Sequence, residues 1–308
     1  MTTGQTLTAG SGPSRLSIWI EATRPYSFTA SVTPVLIGSV LGMIDGPFSF
    51  GRFLLALIGS LFLQIGTNMI NDHYDHLSGV DTLESMSGSQ VIQRGMLTPG
   101  EMYWGGMAAF AIGSVCGLLL VLLCGWPILV LGLVSVLAGY FYTAKPVPLA
   151  YLALGEATVF IFMGPVIVVG AYYVQREAFA LAPFLISLPV GCLVAAILHA
   201  NNIRDLNFDI EHGKNTLATV IGRNAANWEL AWLVYGAYVI TAVLMVLGYA
   251  PWPVLLTFLS LRHAIPAVRI AFATDKVETL NEALMCTVKA HLEYGVLLIV
   301  GLLLSRFI

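Results

Sequence analysis

Charged residues are scarce in this chain. Asp, Glu, Lys and Arg account for only 10% of its 308 positions, while apolar residues account for 57% and the mean hydropathy is +0.84. So little polar surface cannot coat a soluble globule of this length. The net charge is only −3, and no nucleic-acid partner is expected. The composition predicts an integral membrane protein surrounded by a lipid bilayer.

Cysteine is also rare, and its spacing suggests neither a disulfide framework nor a metal site. The chain has four cysteines and no C-x-x-C pair, and all four lie within or beside apolar runs: Cys116, Cys124, Cys192 and Cys286. We interpret them as buried apolar residues.

The first residues differ from the rest in composition. Residues 1–14 are rich in Thr, Gly and Ser, and they lack the charged start and apolar core of a signal peptide. We expect 1–14 to be a disordered tail and 15–308 to form a single transmembrane domain.

The apolar runs show no alternation of polar and apolar residues, so barrel strands are excluded and helices are required. A run of roughly 17 to 25 apolar residues can cross a bilayer as a helix. We predict about nine spans, near 27–45, 52–71, 102–123, 126–142, 153–173, 180–200, 227–248, 252–271 and 290–307. The expected fold class is an all-α membrane protein with about nine helices bundled around a central cavity.

Two polar stretches interrupt this chain, at Asn68 to Asp81 and at Asn201 to Ala218. We call them the first and the second acidic motif. Each begins where an apolar run ends and places an Asn four residues before an Asp, namely Asn71 before Asp75 and Asn201 before Asp205. Carboxylate and amide oxygens at this spacing are hard ligands held at a membrane surface. They suit the Mg²⁺-diphosphate group of a lipid substrate.

The distribution of Lys and Arg predicts the orientation. One side of the membrane collects nine of them, which are Arg15, Arg24, Arg94, Lys145, Arg204, Lys214, Arg223, Lys276 and Lys289. The other side keeps Arg52, Arg176 and Arg306. We therefore place the first side in the cytoplasm and the C-terminus outside, in the cell (inner) membrane. Because the motifs follow the second and sixth predicted spans, both emerge on the cytoplasmic face.

The first motif offers several oxygen ligands. On a helix, Asn68, Asp72 and Asp75 share one face. Carboxylates so close together repel one another unless a cation joins them. We therefore predict metal ligands at Asn71, Asp72, Asp75 and Asp81. The alternative is a solvated loop, because Asn, Asp, Gly and Ser are common in turns.

The second motif repeats the four-residue step with Asn201, Asp205 and Asp209, and it adds Arg204 and Lys214. Asp205 and Asp209 are predicted metal ligands, so the two motifs could hold two Mg²⁺ ions, with Mn²⁺ able to replace them. The two cationic side chains would neutralise the remaining diphosphate charge.

We assign catalytic roles to Asp75, Arg204, Asp205 and Lys214. Predicted substrate contacts are Arg24, Asn68, Asn71, Tyr142, Lys145 and Asn201. Breaking an allylic C–O bond requires this kind of charge stabilisation on the leaving group. The rival class is a cation-binding transporter, which would place its acids in the middle of broken helices rather than at helix ends.

Several ionisable residues lie outside the two motifs. His199 is a candidate proton acceptor because it precedes the second motif. Arg262, His263 and Arg269 lie in the eighth apolar run. We expect these three to face the bundle interior, the cavity or an interfacial depth, because a charge at the bilayer centre is costly. A structural ion pair with Glu278 or Glu282 is the alternative to a substrate contact.

Six segments carry a resemblance to a known family. They are TRPYSFTASVTPVLIGS, NDHYDHLSGVDT, VIQRGMLTP, YTAKPVPLAYLALGE, VFIFMGPVIVVGAYYVQ and NNIRDLNFDIEHGKNTLATVIG, and they cover most of Thr23 to Gly222. In these segments the chain resembles the UbiA superfamily of intramembrane prenyltransferases. It is most similar to the 1,4-dihydroxy-2-naphthoate branch of menaquinone biosynthesis.

The resemblance implies a nine-helix bundle, with Asn71, Asp75 and Asp81 in one metal-diphosphate motif and Asp205 and Asp209 in the other. It also implies transfer of a polyprenyl group from its diphosphate to an aromatic acceptor. For dihydroxynaphthoate, loss of the carboxylate would give demethylmenaquinone. Other acceptors remain open, namely 4-hydroxybenzoate, homogentisate, chlorophyllide, haem and glycerophosphate. One departure is Ala144-Lys145, where the branch usually has two glycines.

Overall fold

The computed structural model describes residues 13–83, 85 and 87–307. The predicted disordered tail therefore lies outside the described residues except for its last two. The described part contains helices and no strands. The α-helices are α1 Arg15–Ala22, α2 Thr29–Asp45, α3 Phe50–Leu77, α4 Pro99–Cys124, α5 Trp126–Tyr140, α6 Gly155–Ile161, α7 Ile167–Arg176, α8 Leu181–Glu211, α9 Leu217–Val246, α10 Leu261–Ala273 and α11 Val277–Leu304.

Short segments of other helix types join some of these elements. A π-helical turn, Phe162–Val166, links α6 to α7 and contains Pro165, which has no N–H group for the regular ladder. The three pieces form one span, Gly155–Arg176. In the same way, the 3₁₀ helix Trp252–Ser260 runs directly into α10. The remaining 3₁₀ turns are Pro25–Ser27 and Leu149–Leu152.

Seven helices in the described part of the chain are long and apolar enough to cross a membrane. The segment before α2, Arg15–Ser27, forms a bent pair with α2 at 58°, and this pair would be an eighth span. At the position of the fourth predicted span lies α5, an apolar helix of only 15 residues. The all-α membrane fold is confirmed, and the number nine stays a prediction.

The helices that carry the motifs are longer than the sequence predicts. The second and sixth spans are predicted to end near 71 and 200, whereas α3 continues to Leu77 and α8 to Glu211. Glycines in the left-handed region follow both ends, Gly79 with φ of 75° and Gly213 with φ of 71°. The acidic residues up to Asp75 and Asp209 therefore lie in the last turns of helices, where the prediction had loops.

Close helix contacts bring the walls of the bundle together around α8. A Cβ atom added at Gly164 would lie 2.7 Å from the Cα of Gly191, so the π-helical turn touches α8 nearly backbone to backbone. Small residues allow this approach, which is how helices associate in membranes. Most buried apolar side chains of α8 pack in one cluster with residues of α2, α9 and α11.

Arg262 differs from its prediction. Its side chain is 69% exposed, lies on α10 outside the cavity, and pairs with the carboxylate of Glu293 on α11 at 2.6 Å. His263 lies 3.3 Å from the same carboxylate. The partner is thus Glu293, which is the acidic residue that the antiparallel packing of α10 and α11 brings alongside, and neither Glu278 nor Glu282 is involved.

Candidate active site

Both acidic motifs border one cavity of about 590 Å³. Its polar end lies at the last turns of α3 and α8, and the lining residues from that end include Arg24, Asn68, Asn71, Asp75, Tyr142, Asn201, Arg204 and Lys214. The rest of the wall is mostly apolar. The structure therefore brings the two motifs together at a shared site, although 130 residues separate Asp75 from Asp205.

Lys214 connects the two motifs. It lies in the short connection between α8 and α9, and its Nζ is 3.3 Å from Oδ2 of Asp75. Burial alone lowers the pKa of Lys214, but the carboxylates of Asp75, Asp209 and Asp81 outweigh it and raise the pKa above its ordinary value. A permanent ammonium group thus stands among the carboxylates of both motifs.

Asp75 is buried in the last turns of α3, and both carboxylate oxygens accept hydrogen bonds. Asn71 Nδ2 donates to Oδ2 at 3.0 Å, one helical turn away. The hydroxyl of Tyr151 donates to Oδ1 at 2.7 Å. Tyr151 lies in the 3₁₀ turn between α5 and α6, and burial next to Asp75 raises its pKa, so it remains a hydrogen-bond donor. Sequence reasoning missed Tyr151, although it lies within one of the six resembling segments.

Arg204 holds the second motif in place. Its Nε and Nη2 atoms each donate to Asp205 at 2.7 Å, forming a bidentate pair. Nη2 also donates to Oδ1 of Asn201, and Nη1 donates to Oδ1 of Asn281 on α11, both at 2.9 Å. Asn281 lines the cavity and was not predicted, because no local pattern connects α11 to a motif 77 residues away.

Asp81 returns to the site through the turn after α3. Its backbone N–H donates to the carbonyl of Asp75 at 3.2 Å, and its side chain accepts from Ser87 Oγ at 2.5 Å. Burial raises the pKa of Asp81, and the carboxylate of Asp75 raises it further. Gly88, with φ of 74°, packs against it so closely that a Cβ atom would lie 2.7 Å from Oδ2.

Two predicted site residues do not belong to the cavity. Asp72 pairs with Arg24 and accepts hydrogen bonds from the backbone and side chain of Ser89. Both of its oxygens thus fasten the connection after α3, and we withdraw its assignment as a metal ligand. Lys145 is exposed in the connection between α5 and α6 and does not line the cavity. Its predicted substrate contact finds no support.

Three other predicted contacts lie at the polar end. Asn68 donates to the Thr23 carbonyl at 3.1 Å and to Ser27 Oγ at 3.0 Å. Tyr142 lines the cavity, and burial followed by the nearby charge of Glu156 raises its pKa, so its hydroxyl stays protonated. Arg24 lines the cavity while it is paired with Asp72.

His199 has a structural environment. Its Nδ1 lies 2.9 Å from Oε1 of Glu156, and its Nε2 donates to the Ala226 carbonyl at 2.9 Å. Both ring nitrogens are thus occupied between α6, α8 and α9. Because His199 is fully buried and absent from the cavity wall, it is not available as a proton acceptor for a ligand.

The oxygen donors at the polar end fit a magnesium ion only together with a ligand. Buried carboxylates come from Asp75, Asp81, Asp205 and Asp209, and Asn71 adds an amide. No three His, Cys, Asp or Glu side chains in the described part of the chain stand together as a complete metal site. Mg²⁺ is usually held by one or two carboxylates plus substrate phosphate and water, which is the combination available here.

Comparisons with known proteins agree with this geometry. The model of the UbiA prenyltransferase family matches residues 31–285. A 1,4-dihydroxy-2-naphthoate octaprenyltransferase from Bacillus subtilis is 34% identical over 306 residues, which cover 99% of this chain and 98% of that protein.

Solved structures show the same fold at low identity. The apo structure of a UbiA homologue from Aeropyrum pernix K1 superposes with a TM-score of 0.68 at 17% identity, covering 91% of this chain and 98% of that one. A UbiA homologue from Archaeoglobus fulgidus bound to GPP and Mg²⁺ gives a TM-score of 0.64 at 18% identity, covering 92% and 99%.

Proposed function

We propose that this chain, which belongs to the UbiA prenyltransferase family, transfers a polyprenyl group to 1,4-dihydroxy-2-naphthoate from a polyprenyl diphosphate. The observation that carries the proposal is the cavity, whose polar end joins two acidic motifs through Lys214 and whose remainder is apolar. A molecule with a diphosphate head and a long hydrocarbon tail fits both ends. The acceptor is taken from the name of the Bacillus subtilis relative.

The diphosphate would lie between the motifs. Lys214 and Arg204 border the cavity there, and each can donate charge-assisted hydrogen bonds to phosphate oxygens. Asp75, Asp81, Asp205 and Asp209, with Asn71, would hold two Mg²⁺ ions, and Mn²⁺ could take their place. Bound Mg²⁺ supplies Lewis-acid stabilisation of the leaving group. The Archaeoglobus fulgidus homologue was solved with GPP and Mg²⁺, which supports this arrangement.

The proposed reaction balances without an added oxidant or base. The allylic C–O bond breaks, and its electron pair leaves with the diphosphate. The ring carbon that carries the carboxylate of the acceptor then attacks the allylic cation. Loss of CO₂ returns the C–C electron pair to the ring, so no ring proton has to be removed, and the product is demethylmenaquinone in its quinol form. The protonated hydroxyl of Tyr142 is placed to donate a hydrogen bond to an acceptor oxygen.

The transporter hypothesis receives less support. Its acids should lie where helices break near mid-membrane. Asp75 and Asp205 instead lie in the last turns of continuous helices, and cationic side chains are bonded to both. We propose that this end of the bundle faces the cytoplasm, as the Lys and Arg bias indicates.

An assay with several acceptors tests the proposal. The purified protein in detergent would receive octaprenyl diphosphate, Mg²⁺ and one acceptor at a time, with carboxyl-labelled dihydroxynaphthoate, 4-hydroxybenzoate and homogentisate compared. We expect prenylated product only with dihydroxynaphthoate, together with one labelled CO₂ per product. Release of prenylated product from another acceptor with the label retained on dihydroxynaphthoate would contradict the proposed acceptor.

A further inference from the structure

The cavity continues far beyond the polar end into a chamber between α3, α4, α5 and α7. Along α3, both Asp75 and Leu55 line the cavity, and they are 20 residues apart. At 1.5 Å per residue this corresponds to about 30 Å, close to the thickness of a bilayer's hydrocarbon core. The cavity thus extends from the acidic motifs almost to the opposite end of α3.

The deep part of the chamber is apolar and closed at its far end. Its floor is a packed cluster that includes Leu120 of α4, Ile128 of α5 and Val174 of α7. Below this floor, the guanidinium of Arg52 donates to the carbonyls of Val174 at 3.3 Å and Leu123 at 3.0 Å. These bonds connect α3, α7 and α4 under the floor. A ligand that enters from the polar end therefore meets a fixed limit to its length.

Two glycines keep the chamber wide near the floor. Gly117 lines the cavity in α4 on the same face as Gly113 and Leu120, at helical spacing. Gly132 does so in α5, one turn after Ile128. A Cβ atom at Gly117 or at Gly132 would meet no heavy atom within 4 Å, so a larger side chain there would extend into the chamber without a clash.

We propose that this chamber holds the distal isoprene units of the donor and that Gly117, Gly132 and the floor set the longest polyprenyl chain that the enzyme accepts. This inference rests on the proposed function. A leucine side chain has four carbons and an isoprene unit has five, so one leucine in the chamber removes room for about one unit.

The test replaces Gly117 and Gly132 separately by Leu and compares two donors, geranyl diphosphate and octaprenyl diphosphate. Binding of each donor is measured without acceptor, and kcat/KM is measured with dihydroxynaphthoate. We expect each variant to lose at least tenfold in affinity and in kcat/KM for the octaprenyl donor and to keep both within twofold for the geranyl donor. Gly236→Leu in α9 is the matched control, because Gly236 also has open surroundings but does not line the cavity.

A graded series sharpens the test. On α5, Ile128, Gly132 and Ser135 line the cavity at increasing distance from the floor. We expect the longest accepted donor to become shorter in the order Ile128→Trp, Gly132→Leu, Ser135→Leu. Equal loss of both donors in every variant would overturn length selection, as would an unchanged octaprenyl affinity.

A second wall of the cavity provides the opposing arm. Thr29 of α2 and Met285 and Val288 of α11 line it away from the chamber. If the tail left the bundle there, Met285→Trp would weaken octaprenyl binding and Gly132→Leu would not, which would overturn the inference. Because donor binding is measured without acceptor, the inference can fail while turnover of the geranyl donor still supports the proposed function, and failure of turnover with normal donor binding affects the proposed function alone.

Discussion

The ammonium nitrogen of Lys214 lies 3.3 Å from a carboxylate oxygen of Asp75, although the two residues are 139 positions apart in the chain. This contact joins the motif at the end of α3 to the motif at the end of α8. The Lys214 side chain is only 13% exposed and that of Asp75 only 3%. Such a pair is costly to break, because either partner alone would be an uncompensated buried charge.

Lys214→Met should weaken donor binding. The substitution removes a charge-assisted hydrogen bond, worth roughly 1.5–3 kcal/mol, which corresponds to about a ten- to hundredfold rise in KM for the prenyl diphosphate. The KM of the aromatic acceptor should change much less. Steady-state kinetics with each substrate varied in turn measure both, and Lys289→Met on the exposed side of α11 is the control. Equal effects on the two KM values would contradict a diphosphate contact.

Asp75→Asn and Asp205→Asn should each lower kcat/KM by at least about a hundredfold, because each removes a charged oxygen donor from the polar end. Asn keeps the shape of the side chain. An Ala substitution is less informative than the sequence suggested, since both residues are buried in helices and truncation would leave Lys214 or Arg204 unpaired. Glu282→Gln, at an exposed position, is the control. Near-normal rates in both Asn variants would contradict the proposed site.

Tyr151→Phe should have a smaller effect than either Asp substitution. The change removes the hydrogen bond to Oδ1 of Asp75 and leaves the ring, over which Lys214 lies at 5.4 Å from the centroid. One neutral hydrogen bond is worth roughly 0.5–1.5 kcal/mol, so we expect about a two- to tenfold loss in kcat/KM. The measurement should include the thermal midpoint in detergent. A large loss of stability with unchanged kinetics would make Tyr151 a purely structural residue.

Tyr151 also shows what the sequence could and could not predict. Hydropathy and residue spacing predicted the membrane class, most helix positions and the residues of both motifs, because these signals are local. The contacts of Tyr151 with Asp75 and of Asn281 with Arg204 join residues 76 and 77 positions apart. Nothing local encodes such pairings. The ends of α3 and α8 were misplaced because polar residues were assumed to end the helices, whereas Gly79 and Gly213 do so.

Removal of divalent cations should stop turnover. The oxygen donors at the polar end suit Mg²⁺ only when phosphate completes the coordination, so metal and donor binding should depend on each other. We expect no product in excess chelator, full recovery with Mg²⁺ and partial recovery with Mn²⁺. Asp209→Asn should raise the Mg²⁺ concentration needed for half-maximal rate. Turnover that continues in excess chelator would contradict metal use.

The last prediction concerns which end of the bundle faces the cytoplasm. In a background without its four cysteines, single cysteines would replace Ser78, Asn215 and Glu177, all of which are exposed. Ser78 follows α3 and Asn215 follows α8, at the same end of the bundle as the cavity's polar residues, whereas Glu177 follows α7 at the end where Arg52 pairs with it. Because the Lys and Arg bias places the motifs in the cytoplasm, an impermeant thiol reagent applied to intact cells should label position 177 only. Labelling of 78 and 215 would require permeabilised cells. Labelling of 78 and 215 from opposite sides would contradict the shared site, and labelling of both from outside would reverse the orientation while leaving the site intact.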